Sequence, residues 1–256
     1  MASFSELIET ISPAGELSVP DAWRQGRTTY GGLSAALCVA GVLRNHAAVP
    51  PLRAAHFTFL GPAAGALRIQ SSLLRQGKNS VFVAADLHGE AGVATRATLA
   101  FGNARESRTS FAALPAPAVP PPDGCPLFAP GRDKPRFASQ FEIRVARRTS
   151  EPDFLMWVRH NDPLARRGIV GLIALADVLP PAAITLVSAA APVSTITWSV
   201  DMVDPAAAEI GDPEGWHLMQ SRADHAADGY SSQAMALWNH TGAPVLVARQ
   251  TVAIFG

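Results

Sequence analysis

Net charge, paired cysteines and long apolar runs are all missing from this sequence, and each absence excludes a class of protein. Lys and Arg total 21, as do Asp and Glu, so no net field attracts nucleic acid or an anionic membrane. Cys38 and Cys125 form neither a disulfide framework nor a metal-binding motif. No apolar run reaches membrane-spanning length, and the first residues lack a signal-peptide core. We therefore expect a cytoplasmic protein without nucleic-acid or membrane partners.

Charged residues are also scarce, at 16%, whereas hydrophobic residues make up 48% of the 256 residues. That balance excludes a disordered chain and is sufficient for substantial cores. The 7 histidines show no zinc-binding spacing, so we predict no metal site and expect no cofactor. Length alone allows either one large domain or two small ones.

Proline is concentrated between residues 111 and 135, a segment that cannot donate enough hydrogen bonds for a helix or a sheet. We interpret it as a linker between an N-terminal domain (1–110) and a C-terminal domain (136–256). Before it, hydrophobic periodicity predicts a helix over 31–47 and strands over 53–60, 66–75, 80–88 and 92–102. After it, the pattern predicts a helix over 168–179 and strands over 137–147, 154–160, 193–203, 215–226, 230–239 and 244–255.

The two halves repeat each other in residues as well as in the order of elements. RATLAF from Arg96 is echoed by RQTVAIF from Arg249, and GLSAALCVA from Gly32 can be laid on GLIALADVL from Gly171. An apolar helix must be buried, so each half predicts an antiparallel sheet wrapped around its helix. When two such units join edge to edge, the unpaired backbone N–H and C=O groups of their edge strands hydrogen-bond to each other. The predicted fold class is therefore α+β, a double hotdog with a continuous sheet and a pseudo-two-fold axis.

The repeat also shows where the halves differ. The first half has Cys38 where the second has Asp177, and Ala97 where the second has Gln250, so only one site per chain is expected. Burying a carboxylate in an apolar helix is costly without partners, so Asp177 either faces solvent at the helix end, caps a turn, or acts on water. Strand alternation places Gln250 on the face of Val252. Gln250 is then either an edge-strand residue paired with its neighbour or part of a site.

Five longer motifs follow one another along the chain: RTTYGGLSAAL from Arg27, HFTFLGP from His56, LLRQGKNS from Leu73, STITW from Ser194 and VARQTVAIF from Val247. Together they resemble the acyl-CoA thioesterase II family and the wider group of thioesterase-like double hotdog proteins. The resemblance spans nearly the whole chain. It departs from the family pattern after Thr195 and after Gln250.

The resemblance implies an acyl-CoA thioester hydrolase of fatty acid metabolism. Asp177, Thr195 and Gln250 match the family residues that bind the attacking water, although Thr195 alone is only a typical strand residue. Asp177 is then expected to accept the proton of this water. We further expect the backbone N–H groups of Gly31 and Gly32, at a helix N-terminus, to polarise the substrate carbonyl.

Other functions compete with this interpretation. Ser34 lies in a sequence that half resembles a nucleophile elbow but lacks its second glycine. A hotdog hydratase needs a helix-borne Asp with a His, and Asp177 has no neighbouring His. The paired arginines Arg147-Arg148 and Arg166-Arg167 can meet CoA phosphates or simply face solvent. A non-catalytic acyl-CoA or acyl-chain binding protein stays open, as do the acyl group and the oligomeric state, including a homo-oligomer.

Overall fold

The computed structural model describes residues 3–129, 135–187, 192–206 and 214–255. The helices are α1 (Phe4–Glu9), α2 (Gly31–Asn45) and α3 (Gly168–Leu175). The strands of the first half are β1 (Glu16–Ser18), β2 (Arg24–Gln25), β3 (Thr28–Thr29), β4 (Leu52–Phe59), β5 (Ala66–Gln76), β6 (Ser80–Gly89) and β7 (Gly92–Gly102). Those of the second half are β8 (Phe141–Arg147), β9 (Asp153–His160), β10 (Val193–Met202), β11 (His217–Ala227), β12 (Tyr230–Asn239) and β13 (Pro244–Ile254).

One 11-stranded sheet runs through both halves in the order β1-β5-β6-β7-β4-β10-β13-β12-β11-β9-β8. Its centre is the antiparallel pair β4 and β10, where Phe57 lies opposite Trp198 and the two rings stack with centroids 5.3 Å apart. Outward from this pair, β7-β6-β5 on one side corresponds to β13-β12-β11 on the other. The halves are thus related by a local two-fold axis, and the predicted double hotdog with a continuous sheet is confirmed.

Helix α2 is the centre of the first half. Every residue from Gly32 to Val42 is buried, as expected for an apolar helix that cannot stay in water. It packs on β5, β6 and β7 and also on α3 of the other half. The Tyr30 hydroxyl, at the start of α2, donates to the Ala174 carbonyl near the end of α3 at 2.7 Å. The start of one helix therefore meets the end of the other. None of the helices in the described ranges is long and apolar enough to cross a bilayer.

The structure corrects three details of the predicted elements. Helix α3 ends at Leu175 instead of residue 179, because the chain turns away toward the consecutive prolines at 180 and 181. Residues 137–140 belong to the 3-10 turn Arg136–Gln140 and only then does β8 begin. Helix α1 was not predicted, although Ser3 and Glu6 form a capping box that marks its start.

The proline-rich segment does more than connect the halves. Its residues 111–126 cross the face of the second half's sheet that points away from the helices. There it covers a separate cluster of buried side chains: Cys125, Leu155, Trp157, Trp216, Leu218, Ala236 and Trp238. Two tryptophans bind the segment directly, since Trp238 Nε1 donates to the Leu114 carbonyl and Trp157 Nε1 to the Pro120 carbonyl, both at 2.9 Å. Residues 130–134 of the predicted linker lie outside the described residues. We call residues 111–126 the strap.

We expect Trp238→Phe to loosen the strap, because the ring stays apolar but the hydrogen bond to Leu114 is lost. The loss should lower the free energy of unfolding by about 1 kcal/mol and speed proteolytic cleavage within the strap. Trp23→Phe is the matched control, since the buried Trp23 Nε1 has no hydrogen-bond partner among the described residues. Equal cleavage rates in Trp238→Phe and the wild type would contradict this role.

Candidate active site

Asp177 lies where the two halves meet. It follows the end of α3 in the second half, and its carboxylate reaches the start of α2 in the first, where it accepts a hydrogen bond from the Gly32 backbone N–H. A Cβ at Gly31 would lie 2.8 Å from Asp177 Oδ2, and one at Gly32 would lie 2.6 Å from the Ala174 carbonyl oxygen. Only glycine allows both approaches. The Gly-Gly pair is thus explained by the packing of Asp177 and α3 against the start of α2.

Gln250 holds the other side of this carboxylate. Its Nε2 donates to Asp177 Oδ1 at 2.5 Å, and the side chain is buried. Strand β13 lies between β10 and β12, so the edge-strand interpretation of Gln250 is wrong. Gln250 does pair with a neighbouring side chain, because its Oε1 accepts from Gln233 Nε2 at 2.7 Å. Gln233 was not singled out from the sequence.

The ionisation of Asp177 is shifted by these surroundings. Burial raises the pKa of its carboxyl group from 3.8 to about 7, against the opposing hydrogen bonds from Gln250 and Gly32. The side chain is mostly enclosed, and it lines a cavity. The carboxylate therefore faces the cavity and is hydrogen-bonded to Gln250, instead of lying free on the outer surface. A carboxyl group with this pKa can accept a proton near neutral pH and can also release it there.

Thr195 reaches the same cavity because of an irregularity in β10. Trp198 lies opposite Gln250 on β13, and simple alternation would place Thr195, three residues earlier, on the other face of the sheet. A bulge at Ile196 adds one residue, so Thr195 instead pairs with Val252 on the face that carries Gln250. Thr195 accordingly lines the cavity together with Gln250. The structure thus brings the three predicted residues to one place.

The cavity has a volume of about 1030 Å³, and its walls come from both halves and from the chain that follows the strap. Much of the lining is aromatic, with Phe59, Phe128, Phe137, Phe141 and Phe154. The lining residues Arg27, Leu60 and Leu127 are exposed and mark its opening to solvent. The cavity therefore combines an apolar interior, a polar group of three side chains and an open mouth.

Of the other residues considered from the sequence, some line the cavity and others do not. Gly31 lines the cavity, whereas Gly32 does not, and the Gly32 backbone N–H lowers the pKa of Asp177. Cys38 and Ala97, the counterparts of Asp177 and Gln250, are fully buried and do not line it. Burial raises the pKa of the Cys38 thiol to about 12.

Ser34 lines the cavity, but no histidine is found among its described lining residues, as a Ser-His-Asp hydrolase or a hydratase would need. Within the described ranges no group of three or more His, Cys, Asp or Glu side chains is arranged to hold a metal ion.

Arg27 is the one cationic side chain in the described lining of the cavity. The paired arginines considered from the sequence lie elsewhere: Arg147 pairs with Asp153, and Arg166 donates to the His160 carbonyl. Arg27 is the first residue of the motif RTTYGGLSAAL, and the motif alone does not predict its place at the cavity mouth.

Two family profiles match the sequence. The acyl-CoA thioesterase N-terminal domain matches residues 19–102, and the acyl-CoA thioesterase C-terminal domain matches residues 115–254. The chain belongs to the acyl-CoA thioesterase family. This membership confirms the resemblance read from the five motifs and supports thioester hydrolysis as the general activity. A search of curated proteins found no significant match.

Solved structures support the fold of this thioesterase family member. A hot dog fold protein of unknown function from Alicyclobacillus acidocaldarius has 22% identity and a TM-score of 0.85, with 94% of this chain and 92% of that chain covered. An acyl-CoA thioesterase II from Mycobacterium marinum has 18% identity and a TM-score of 0.71, with 94% and 93% covered. A tesB protein from Mycobacterium avium subspecies paratuberculosis has 15% identity and a TM-score of 0.76 over both complete chains.

The raised pKa of Asp177 predicts a pH-dependent stability. Between about pH 4 and pH 7 the folded protein keeps a proton that the unfolded chain releases, so the free energy of unfolding falls as pH rises through this range. Asp177→Asn lacks this decline. Its stability relative to the wild type should therefore rise across the range, by up to about 4 kcal/mol.

Urea unfolding at several pH values between about 5 and 8 measures this difference. Asp86→Asn is the matched control, because the pKa of Asp86 is lowered by its hydrogen bonds to Arg96 and its titration falls below this range. A constant difference between Asp177→Asn and the wild type at every pH would show that Asp177 titrates normally.

Proposed function

We propose that this protein hydrolyses an acyl-CoA thioester to a free acid and CoA, using a water molecule held by Asp177, Thr195 and Gln250 at one site per chain. The observation that carries the proposal is the 2.5 Å hydrogen bond from Gln250 to Asp177 in a large, aromatic-lined cavity that Thr195 also lines. The carboxylate keeps lone pairs beyond those used by Gln250 and Gly32, so it can also accept from water. Family membership supports the same reaction class.

In the proposed reaction, Asp177 takes a proton from the water while Thr195 and Gln250 fix its direction. The water oxygen bonds to the thioester carbonyl carbon, and the negative charge moves to the carbonyl oxygen. The Gly31 backbone N–H, at the start of α2 beside the cavity, stabilises that charge. When the carbon–sulfur bond breaks, the CoA sulfur leaves and takes the proton from Asp177. Gly32 is not assigned to this step, because it does not line the cavity.

The cavity also orients the substrate in this proposal. The aromatic walls take the acyl group, because apolar surface is buried there at little cost to polar groups. The CoA phosphates stay at the mouth, where the exposed Arg27 has no ion pair with any described residue. A planar guanidinium can bind phosphate oxygens with two hydrogen bonds.

We expect Asp177→Asn to reduce the rate of acyl-CoA hydrolysis by roughly a hundredfold or more, because an amide cannot accept the proton. Thr195→Ala and Gln250→Ala should each slow the reaction, and their effects should combine less than additively because all three groups act on one water. Release of free thiol from acyl-CoAs of graded chain length measures the rate.

Asp86→Asn, on the surface of the first half, serves as the control for loss of a carboxylate. A normally melting Asp177→Asn protein that hydrolyses its best substrate at the wild-type rate would exclude Asp177 as the base. A wild-type protein that binds acyl-CoA without releasing thiol would instead favour the non-catalytic binding function.

Arg27→Gln should raise KM for acyl-CoA about tenfold or more with little change in kcat, since it removes a charge-assisted contact to phosphate. The same variant should hydrolyse an acyl-N-acetylcysteamine thioester, which has no phosphates, at the wild-type KM. Arg24→Gln is the control, because Arg24 pairs with Asp21 and does not line the cavity. Equal increases in KM for both substrates would assign Arg27 to the acyl end of the site.

A further inference from the structure

Gln233 is a fully buried polar side chain that does not line the cavity. It lies directly opposite Gln250 in the pairing of β12 with β13. At the corresponding positions of the first half, β6 and β7 place Ala85 opposite Ala97. Two alanines therefore suffice for the packing of this part of the sheet. A pair of buried glutamines is more costly and needs mutual hydrogen bonds, so their presence in one half alone points to a role at the site.

The hydrogen bonds of Gln233 have a fixed direction. The Ala182 backbone N–H can only donate, and it binds Gln233 Oε1 at 3.0 Å. Gln233 must then direct its Nε2 at Gln250 Oε1, at 2.7 Å. Gln250 in turn must direct its Nε2 at Asp177. One backbone N–H thus determines the orientation of both amides and keeps a donor pointing at the carboxylate.

Without this constraint the amide of Gln250 is free to turn over. A half-rotation would exchange its Nε2 and Oε1 and bring a carbonyl oxygen against the carboxylate of Asp177. That arrangement disfavours the ionised form of Asp177 and turns away the donor that directs the water. Burial already favours the protonated form, so the site depends on keeping the amide in one orientation.

We propose that Gln233 is a positioning residue: it locks the side-chain amide of Gln250 so that its NH₂ group faces Asp177. The inference rests on the proposed function, because the locked amide matters to the reaction only if Asp177 acts on the water. Ala182 belongs to the same role. It begins the 3-10 turn Ala182–Leu186, five residues after Asp177, so the segment carrying the carboxylate also fixes the amide that binds it.

Gln233→Met tests the proposal, since methionine has a similar length but cannot relay the hydrogen bond. Ala182→Pro is the second variant and removes the N–H that orients the chain. Proline suits this first position of a turn, and Pro181 before it already has an extended conformation, with ψ at 129°. Ser231→Ala is the matched control, because the buried Ser231 hydroxyl lies on the same strand and has no hydrogen-bond partner within the described ranges.

The first measurement is a carbon-13 NMR titration of the Asp177 carboxyl group in substrate-free protein, with the resonance assigned from its absence in Asp177→Asn. Both variants should raise the pKa of Asp177 by about one unit, and Ser231→Ala should leave it unchanged. The second is the pH profile of hydrolysis. Its acidic limb should move upward by the same amount, with kcat about tenfold lower below neutral pH and KM little changed.

The outcomes separate this proposal from the proposed function. If a folded variant melts at a lower temperature but leaves the pKa of Asp177 and the pH profile unchanged, Gln233 is only structural and the proposal is overturned. If the wild type hydrolyses no thioester, the proposed function fails, and the NMR titration alone decides whether Gln233 controls the ionisation of Asp177. Either variant that folds is sufficient for this decision.

Discussion

The carboxylate of Asp177, held between the Gln250 amide and the Gly32 backbone N–H, is the interaction on which the rest of the site depends. One donor comes from the sheet of the second half and the other from the helix start of the first. A carboxylate enclosed to this degree needs such partners, since burying an unpaired charge costs several kcal/mol. The shared sheet supplies both, because the pairing of β4 with β10 fixes the position of one half against the other. The site is therefore a product of the fusion and belongs to neither half alone.

The repeat provides the framework, and the difference between its two halves provides the hydrogen bonds to Asp177. At equivalent sheet positions one half has Ala85 and Ala97 and the other has Gln233 and Gln250. The two alanines of the first half have no side-chain polar groups that need hydrogen bonds. The first half therefore contributes an apolar core and the N-terminus of α2. The two glutamines of the second half form consecutive hydrogen bonds, from Gln233 to Gln250 and from Gln250 to the carboxylate of Asp177. Two copies of one architecture can take on different tasks in this way, because the sheet requires only that each inward position be filled and each polar group be satisfied.

Much of the fold and part of the site could be predicted from the sequence. Period-two and helical patterns located ten long strands and two helices, and comparison of the halves selected Asp177 and Gln250. The rest depends on contacts between distant parts of the chain. The bulge at Ile196 exists only in the pairing of β10 with β13, so alternation along the strand could not orient Thr195. Gln233 meets Gln250 only through the register of β12 with β13. Proline-rich composition predicts a linker over 111–135 because it indicates missing donors, and it says nothing about the tryptophans that donate to the strap.

The balance of forces at Asp177 also explains why so few donors surround it. Burial alone would keep the carboxyl group protonated well above neutral pH, and the hydrogen bonds from Gln250 and Gly32 oppose that tendency, leaving the pKa at about 7. Additional donors would lower the pKa and make the carboxylate a weaker base, whereas fewer would leave it protonated and unable to accept a proton. The two donors that oppose burial thus come from two different elements, one in each half. The amide of Gln250 is the more easily disturbed of the two, because a side chain can rotate and a helix N-terminus cannot.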